Sequence, residues 1–453
     1  MEHSLSTATL LAKQKRDSAF LKRGVVTATL SGITYGLYTA FLNLGMTQGI
    51  WAEWYGPETL LAAFTITFLV ATLGSAINDT CSAIWCLFFA ARKGKLGDFF
   101  KSIPTKPGII MICAALVGGP ISSAAYIVAI QMAGSIVIPI SALCPAIGAI
   151  LGRVLFKQEL NKRMMLGILI CLVASALIGS SALDETAPDG LLLGILIAFI
   201  AAFGWGTEGC IAGYGTSMID YEIGITIRQI TSGLGNLFIL LPIMALIGGF
   251  NAAYPLELAG QAITSTHAMI YFVISGFFAV FAYSLWYKGN SMCGAALGMA
   301  CNGAFSFWGP FFCWLVIGVF AGVDGWSLPL IAWIAAILMA FGIWVIAMNP
   351  LDLFKKDPNK ELMRQNKNRT LNYDILKYFT TVDEASADDV MDALRIKFSN
   401  YKTFTKENVI EALMTAECNA LISEKRAEIV DGDLVVIYGA DEEQRKTINA
   451  YIK

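Results

Sequence analysis

The stretch Gly190–Gly215, GLLLGILIAFIAAFGWGTEGCIAGYG, decides how the rest of the chain is interpreted. A transmembrane α-helix needs about 20 predominantly apolar residues, so this stretch is long and apolar enough to cross a bilayer. It also carries one carboxylate, Glu208, among small residues. An ionisable side chain at that depth is costly in hydrocarbon and marks a functional site by default. The stretch therefore predicts a membrane-spanning helix with a polar function.

The rest of the chain shares this apolar character up to Asn349. Of the 453 residues, 56% are hydrophobic and 15% are charged, whereas ordinary soluble domains are about 25% charged. Residues 351–453 differ, because they hold 16 Lys and Arg against 19 Asp and Glu. This mildly acidic segment is not expected to bind nucleic acid. We expect a polytopic membrane protein that carries a soluble C-terminal segment.

Ten apolar runs are long enough to be transmembrane helices. They lie at approximately residues 24–48, 58–90, 108–131, 134–156, 163–182, 190–215, 223–248, 267–288, 291–320 and 327–349. The run at 58–90 would form a helix of about 50 Å, longer than the ~30 Å hydrocarbon core. We interpret it as one tilted helix that projects into the cytoplasm. Two helices there would place every later loop on the opposite side of the membrane, and the charge bias described below would be lost.

The polar segments between these runs differ in charge on the two sides of the membrane. Lys and Arg precede the first run and follow the second, fourth, eighth and tenth, whereas the opposite loops contain acids and no Lys or Arg. This positive-inside bias places both termini in the cytoplasm and the protein in the cytoplasmic membrane. Trp51, Trp54, Tyr55 and Trp326 are predicted to form an outer aromatic belt.

The ten predicted spans divide into two sets of five, residues 24–182 and 183–350. An odd number of spans in each half gives the second half the opposite topology, as in an inverted repeat. Tyr35-Gly36-Leu37-Tyr38 in the first span aligns with Trp205-Gly206-Thr207-Glu208 in the sixth. Pro145 and Pro310 interrupt the fourth and ninth spans. These correspondences predict a 5+5 inverted repeat.

The stretch Ser141–Gly179, SALCPAIGAILGRVLFKQELNKRMMLGILICLVASALIG, resembles the end of an EamA-type half in the drug/metabolite transporter superfamily. In that family a proline interrupts the fourth helix, a glutamate lies in the following turn, and a glycine opens the fifth helix. Pro145, Glu159 and Gly167 occupy those places here. The corresponding turn of the second half, Ala321–Leu330, has no such glutamate. The resemblance implies ten helices in an inverted repeat and transport of a small metabolite.

Three charged residues within the predicted spans are candidates for a functional role. Glu208 is predicted either to bind solute and exchange a proton, to form a structural ion pair, or to lie solvated at the interface. Arg228, in the seventh span, is the natural counter-charge for Glu208 or Asp79 and could clamp an anionic solute, with snorkelling to the interface as its alternative. Asp79, toward the inner end of the second span, is a second candidate for proton coupling.

Neutral residues in the first, third, sixth and ninth spans complete the predicted site. Aromatic side chains that also form a hydrogen bond suit a small polar or ring-containing solute, and ordinary packing is the alternative. The candidates for binding substrate are Tyr35, Tyr38, Trp205, Asn302, Ser306 and Trp308. Tyr126 and Gln131 are assigned to a rim or gate. The predicted cavity is lined by the first, second, sixth, seventh and ninth helices.

The segments outside the spans form separate units. Residues 1–23 are a cytoplasmic N-terminal segment, and residues 351–370 are a polar linker. In residues 371–453, three helices are predicted at Asp374–Thr381, Ala387–Phe398 and Lys406–Asn419, with Ser386 and Thr405 as N-caps. A hairpin at Ala427–Gly439, turning at Asp431-Gly432, and a short helix from Glu442 follow. This small α+β unit resembles a winged-helix domain, and its acidic third helix favours protein contact over DNA.

The sequence has no nucleophile–base set, phosphate-binding glycine loop or metal-ligand spacing, so we expect neither an enzyme nor a bound cofactor or metal. We predict an all-α polytopic membrane protein that transports a small organic metabolite, with a coupling proton or ion as a further ligand. The expected partners are membrane lipid and, through the C-terminal domain, a second copy or another protein. The alternative is a membrane-bound solute sensor that signals through that domain.

Overall fold

The computed structural model describes residues 7–133, 140–141, 143–156, 162–180, 191–216, 218–323, 330–347, 371–398, 404–430 and 433–451. Within these ranges, seven helices are long and apolar enough to cross a membrane: Arg16–Gly45, Thr65–Arg92, Lys106–Ala129, Leu192–Gly213, Tyr221–Ile247, Thr266–Cys293 and Leu297–Phe320. They correspond to seven of the ten predicted spans. The chain is therefore a multi-pass membrane protein. The predicted spans at 134–156, 163–182 and 327–349 lie partly outside the described residues.

The helices of residues 7–180 belong to the predicted first half. They are α1 (Thr7–Gly45), α2 (Ile50–Tyr55), α3 (Ala71–Arg92), α4 (Leu96–Ser102), α5 (Lys106–Leu116), α6 (Ala124–Ala133), α7 (Cys144–Phe156) and α8 (Lys162–Ser180). A π-helical segment, Thr65–Val70, leads directly into α3, and another, Val117–Ser123, joins α5 to α6. The second span is thus one continuous helix, as predicted.

The helices of residues 191–347 belong to the predicted second half. They are α9 (Leu191–Gly215), α10 (Tyr221–Gly235), α11 (Leu241–Ile247), α12 (Tyr254–Thr264), α13 (Thr266–Cys293), α14 (Ala295–Asn302), α15 (Phe305–Cys313) and α16 (Leu330–Ala347). The π-helical segment Asn236–Leu240 joins α10 to α11, and Trp314–Phe320 extends α15.

Each half packs against the other along its length. Helix α1 packs along α13 and against α15, while α9 packs along α6 and against α7. Helix α3 packs against α10, and α8 packs against α16. Small residues permit the close approach: a Cβ atom on Gly289 of α13 would lie 2.7 Å from the Cβ atom of Ala28. Such small-residue contacts drive helix association in lipid, where burial of apolar surface provides little gain.

The predicted outer aromatic belt is wrong for Trp51 and Trp54. Both side chains are buried in the short helix α2, 0% and 5% exposed. The ring centroid of Trp51 lies 5.2 Å from that of Trp54 and 5.2 Å from that of Phe272 on α13. The two rings therefore pack α2 onto the helix bundle instead of facing lipid. Trp326 lies outside the described residues.

The C-terminal residues form a small α+β unit. Its order is α17 (Leu371–Tyr378), β1 (Ala385–Ser386), α18 (Ala387–Phe398), α19 (Lys406–Cys418), β2 (Ser423–Val430), β3 (Asp433–Gly439) and α20 (Glu442–Tyr451). The strands form an antiparallel sheet in the order β1-β3-β2. The sheet agrees with the predicted hairpin, although the predicted turn at Asp431-Gly432 lies outside the described residues.

The N-cap predicted for α18 is present. The Ser386 hydroxyl accepts a hydrogen bond from the Asp389 backbone N–H at 3.2 Å, and the Asp389 carboxylate accepts one from the Ser386 N–H at 2.8 Å. This reciprocal arrangement is a capping box closed by an aspartate. The hydrogen bonds from Ser386 hold the pKa of Asp389 below its usual value. At the start of α19, Thr405 occupies the N-cap position as predicted, in extended backbone conformation and without a side-chain cap hydrogen bond.

Candidate solute-binding cavity

Arg228 lies at the centre of a buried charged cluster. Its side chain is fully buried, its Nε donates to Glu208 Oε1 at 3.0 Å, and its Nη1 lies 3.7 Å from Asp79 Oδ1. The guanidinium carbon is 4.0 Å from the ring centroid of Tyr283. The cluster thus joins α3 of the predicted first half to α9, α10 and α13 of the second. With all three groups ionised it carries one surplus negative charge.

Neutral side chains satisfy part of this cluster. Tyr287 Oη donates to Glu208 Oε1 at 3.0 Å, and Ser232 Oγ donates to Asp79 Oδ2. Glu208 Oε2 and Arg228 Nη2 are buried without a hydrogen-bond partner among the described residues. A buried charged group with open hydrogen-bonding capacity is costly. The cluster therefore keeps unused hydrogen-bonding capacity among the described residues.

A cavity of about 90 Å³ lies next to this cluster. Five spans contribute to its lining, through α1, α3, the segment from Ser123 into α6, α9 and α13. Its aromatic walls are Tyr35, Tyr38, Tyr126, Trp205 and Tyr283, and its polar lining includes Asn43, Ser75, Asn78, Asp79 and Ser123. The rings form two groups: the centroids of Tyr35 and Tyr38 are 4.6 Å apart, and those of Tyr126 and Trp205 are 5.0 Å apart.

The π-helical segment Val117–Ser123 orients one wall of the cavity. Pro120 lies inside it, and a proline has no N–H to continue the helical hydrogen bonds. The Gly118 carbonyl accepts hydrogen bonds from Ser123 Oγ and from Trp205 Nε1, both at 3.0 Å. The indole of Trp205 is therefore held edge-on to this backbone, with its ring along the cavity.

Asn78 is fixed in a similar way on the opposite wall. Its Oδ1 accepts a hydrogen bond from Ser275 Oγ at 2.5 Å, and the same hydroxyl lies 2.8 Å from the Tyr38 carbonyl. The Oη atoms of Tyr38 and Tyr283 are 3.3 Å apart. These contacts connect α1, α3 and α13 around the cavity. They hold an amide, a carboxylate and two phenols on one side of it.

Several of the predicted residues come together at this cavity. Tyr35, Tyr38, Trp205 and Asp79 line it, and Tyr126, assigned to a rim, lines it as well. Glu208 and Arg228 lie behind the lining as an ion pair. Both side chains are 0% exposed, so an interfacial, solvated Glu208 and a snorkelling Arg228 are excluded.

Among the described residues, none of the ninth span lines the cavity, in contrast to the prediction. Asn302 Nδ2 donates to Ser31 Oγ and thereby joins α14 to α1. Trp308 stacks on Phe312, with ring centroids 5.6 Å apart. The described residues of the seventh span also lie behind the lining. The third and eighth spans were not predicted to line the cavity, but they do so through the π-helical segment and Tyr283. The side chains of Ser306 and Gln131 lie outside the described set.

Sequence analysis did not identify five residues that belong to the charged cluster or the cavity. Asn78 adjoins Asp79, Gln229 and Ser232 lie one and four residues after Arg228, and Tyr283 and Tyr287 are four residues apart. Residues four apart share a helix face, so a polar stripe on the seventh and eighth spans was a detectable signal. Among the described residues, no group of three His, Cys, Asp or Glu is placed to hold a metal ion.

Comparison with known proteins assigns the chain to no family. No family model and no curated protein matches the chain. Solved structures do match the chain. One, described as a crystal structure of a protein, covers 70% of this chain and 94% of its own chain with a TM-score of 0.44 and 17% identity. The geometry defines the class: a helical multi-pass membrane protein with a polar cavity beside a buried charged cluster.

Proposed function

We propose that the chain is a secondary or facilitative transporter of a small organic metabolite, working by alternating access in the cytoplasmic membrane. The observation that carries this proposal is the polar, aromatic-lined cavity between spans of the two predicted halves. Solute sites of inverted-repeat transporters lie at the interface of the repeats, near the bilayer midplane. The cavity begins at Asn78 and Asp79, halfway along the second span, which fits that placement.

The packing of the helices supports ten spans arranged as a 5+5 inverted repeat of the drug/metabolite transporter type. If the first span is equivalent to the sixth, and so on in order, each interhelical contact should have a counterpart. The contact of α1 with α13 then corresponds to that of α9 with α6, and α1–α15 corresponds to α9–α7. The pairs α3–α10 and α8–α16 map onto themselves. A two-fold relation between the halves accounts for all of these pairs.

The chemistry of the lining favours a neutral or cationic solute. Among the described lining residues, Asp79 is the charged side chain. An anionic group would approach this carboxylate at short range in a low dielectric, which is strongly unfavourable. Aromatic faces with amide and hydroxyl groups suit a polar ring or an organic cation. Pockets for drug-sized ligands measure roughly 300–1,000 Å³, so a cavity of about 90 Å³ suits a small metabolite.

The surplus negative charge provides a place for a coupling proton or cation. Asp79 lines the cavity, whereas Glu208 is held by Arg228 and Tyr287. Arg228 lies close enough to both carboxylates to shift between them. One positive charge entering beside Asp79 would leave Arg228 paired with Glu208 and neutralise the cluster. Loss of that added positive charge would draw the Arg228 guanidinium toward Asp79.

The order of elements in the C-terminal unit supports the winged-helix assignment. One helix, a short strand, two helices and a hairpin follow one another, with the short strand paired to the second hairpin strand. The third helix carries Glu407, Glu411 and Glu417. Duplex binding requires a basic face, so a cytoplasmic protein contact is the better use for this unit.

A thermal-shift screen of the purified protein against neutral and cationic metabolites tests the transport proposal. A ligand that binds only the folded protein raises its melting temperature. We expect Trp205→Ala to weaken binding of any such metabolite by about tenfold, because it removes a stacking surface. Trp308→Ala, which alters an indole outside the lining, should leave the affinity unchanged.

The same metabolite must also be taken up by proteoliposomes that contain the protein. Equal loss of affinity in both tryptophan variants would contradict the assigned cavity. Absence of both binding and uptake across the panel would contradict the transport function itself.

A further inference from the structure

The inner ends of the second and seventh spans are joined by a buried ion network, which we call the latch. Lys95, which follows α3, places its Nζ 2.9 Å from Asp220 Oδ2 and 2.8 Å from Glu222 Oε2. Lys93 pairs with the other oxygen of Glu222. The side chains of Lys95 and Asp220 are 3% and 6% exposed. A buried network of this kind resists opening, because separating its members leaves uncompensated charges.

The latch lies on the opposite side of the cavity from the predicted outer surface. The lining on α1 runs from Tyr35 to Asn43, at the outer end of that helix, and continues to Met46 just beyond it. On α3 the lining ends at Asp79, about 21 Å along the helix from Lys93 at 1.5 Å per residue. The cavity therefore extends outward, and the latch closes the predicted cytoplasmic side.

The C-terminal domain is docked beside this latch. Glu411 on α19 places its Oε1 3.1 Å from Lys288 Nζ of α13 and its Oε2 3.5 Å from Arg23 Nη1 of α1. One carboxylate thus connects the domain to a helix of each predicted half. The three side chains are 23–41% exposed. Each pair alone is therefore worth less than about 1 kcal/mol.

Apolar and backbone contacts reinforce the docking. Met414 of α19 packs with Phe20 of α1 and Met292 of α13, and all three side chains are buried. Asn419 Nδ2 also donates to the Ser291 carbonyl at 3.2 Å. The domain therefore covers the inner ends of α1 and α13 through a buried apolar contact and a hydrogen bond, in addition to its partly exposed ion pairs.

One side chain links the docked domain to the latch. Tyr221 lies between Asp220 and Glu222 at the start of α10, and its ring centroid is 5.1 Å from Lys288 Nζ. Lys288 therefore contacts both Glu411 of the domain and the residue between the two latch carboxylates. The contacts run without a break from Glu411 through Lys288 and Tyr221 to the latch.

We propose that the C-terminal domain is a brake, which in its docked position holds the latch closed and opposes opening toward the cytoplasm. The proposal rests on the proposed alternating access, since it assigns a role to the domain in that cycle. The domain contacts both predicted halves and cannot keep Arg23, Lys288 and Met292 in contact if the halves separate at this end. Docking therefore stabilises one conformation and lowers the population of the other.

Native Cys86 provides a measurement of latch opening in the full chain. It lies on α3 between Asp79 and Lys93, is 3% exposed, and lines a groove of about 360 Å³ that also includes Lys93 and Lys95. Inside-out vesicles expose the cytoplasmic face of the membrane on their outer surface, so a charged, membrane-impermeant maleimide added to them should modify Cys86 when the latch opens. The modified peptide is quantified by mass spectrometry.

Glu411→Gln removes both ion pairs of the brake while keeping the size of the side chain. We expect it to raise the rate of Cys86 modification by about fivefold, the change that corresponds to about 1 kcal/mol. Glu407→Gln is the matched control, because Glu407 is exposed on the same helix. It should leave the rate unchanged. Equal rates in the two variants would overturn the proposal.

Lys288→Gln keeps the C-terminal domain intact and removes one of the two pairs. It should also raise the rate of Cys86 modification. Lys288→Gln therefore tests the proposal even if Glu411→Gln unfolds the domain. An unchanged rate in Lys288→Gln would count against it. Because latch opening is measured and not uptake, this result is independent of whether the solute has been identified.

Discussion

At the scale of single residues, the ion pair of Arg228 and Glu208 is the most consequential contact. Both side chains are 0% exposed and their atoms are 3.0 Å apart. The sequence predicted Arg228 as the counter-charge of Glu208 or Asp79, and the structure places it beside both. Which carboxylate faces the cavity was not predictable, because it depends on the rotation of each helix against its neighbours. That rotation is set by tertiary packing.

Arg228→Gln should destabilise the protein strongly. Removing one partner from a buried ion pair costs about 3–5 kcal/mol, because the remaining charge is left without compensation. The variant leaves Glu208 and Asp79 facing each other without a cation. The melting temperature of the purified protein in detergent measures the effect.

The double variant Arg228→Gln with Glu208→Gln serves as the control. It removes one negative charge together with the positive one, so it should recover at least half of the lost melting temperature. A double variant as unstable as Arg228→Gln would show that the loss comes from packing of the guanidinium and not from its charge.

At the scale of elements, close packing against the third span depends on glycine. A Cβ atom on Gly118 would lie 1.7 Å from Glu208 Oε2, and one on Gly119 would lie 2.1 Å from Ser232 Oγ. Two adjacent glycines in a π-helical segment therefore let the third span approach α9 and α10. The charged cluster could not form with larger residues at these positions.

Gly118→Ala should lower the melting temperature, since overpacking a filled interior costs about 1–3 kcal/mol. Gly260→Ala is the matched control. Gly260 lies in α12, and a Cβ atom there would meet nothing within 4 Å. This substitution should stabilise the protein slightly, because alanine favours the helix by up to about 1 kcal/mol over glycine. Unfolding of both variants followed by differential scanning fluorimetry provides the comparison.

The positions of most helices could be predicted from apolar run length. The single helix at the second span is one such case, whereas the C-terminal antiparallel hairpin was predicted from its Asp-Gly turn. Burial of Trp51 in α2 could not be predicted, because aromatic residues near a span end are equally typical of the lipid interface. The π-helical segment around Pro120 was also missed, since its hydrogen-bonding partners, including Trp205, are distant in sequence.

At the scale of the whole molecule, the proposed transport mechanism depends on how the two predicted halves are related. Gly97, between the second and third spans, and Gly260, between the seventh and eighth, hold corresponding places in the two halves. Both are exposed, with nothing within 4 Å of an added Cβ atom. In an inverted repeat these places lie on opposite sides of the membrane, whereas in a parallel repeat they lie on the same side.

Cysteines introduced at the two positions distinguish these arrangements. In intact cells treated with an impermeant thiol reagent, we expect Gly260→Cys to be labelled and Gly97→Cys to be protected until the membrane is opened. Labelling of both, or of neither, would contradict the inverted repeat. Labelling of Gly97→Cys alone would reverse the predicted orientation while preserving the repeat.

Helix α1 runs without interruption from Thr7 to Gly45. Tyr35 touches the cavity, and Arg16 donates to the hydroxyl of Tyr438 in the C-terminal sheet at 3.0 Å. The two residues are about 28 Å apart along the axis at 1.5 Å per residue. A rigid tilt of α1 by about 5° about its cavity end would move Arg16 by about 2.5 Å, close to the length of a hydrogen bond. A solute that tilts α1 by this angle would therefore shift Arg16 relative to Tyr438 in the C-terminal sheet.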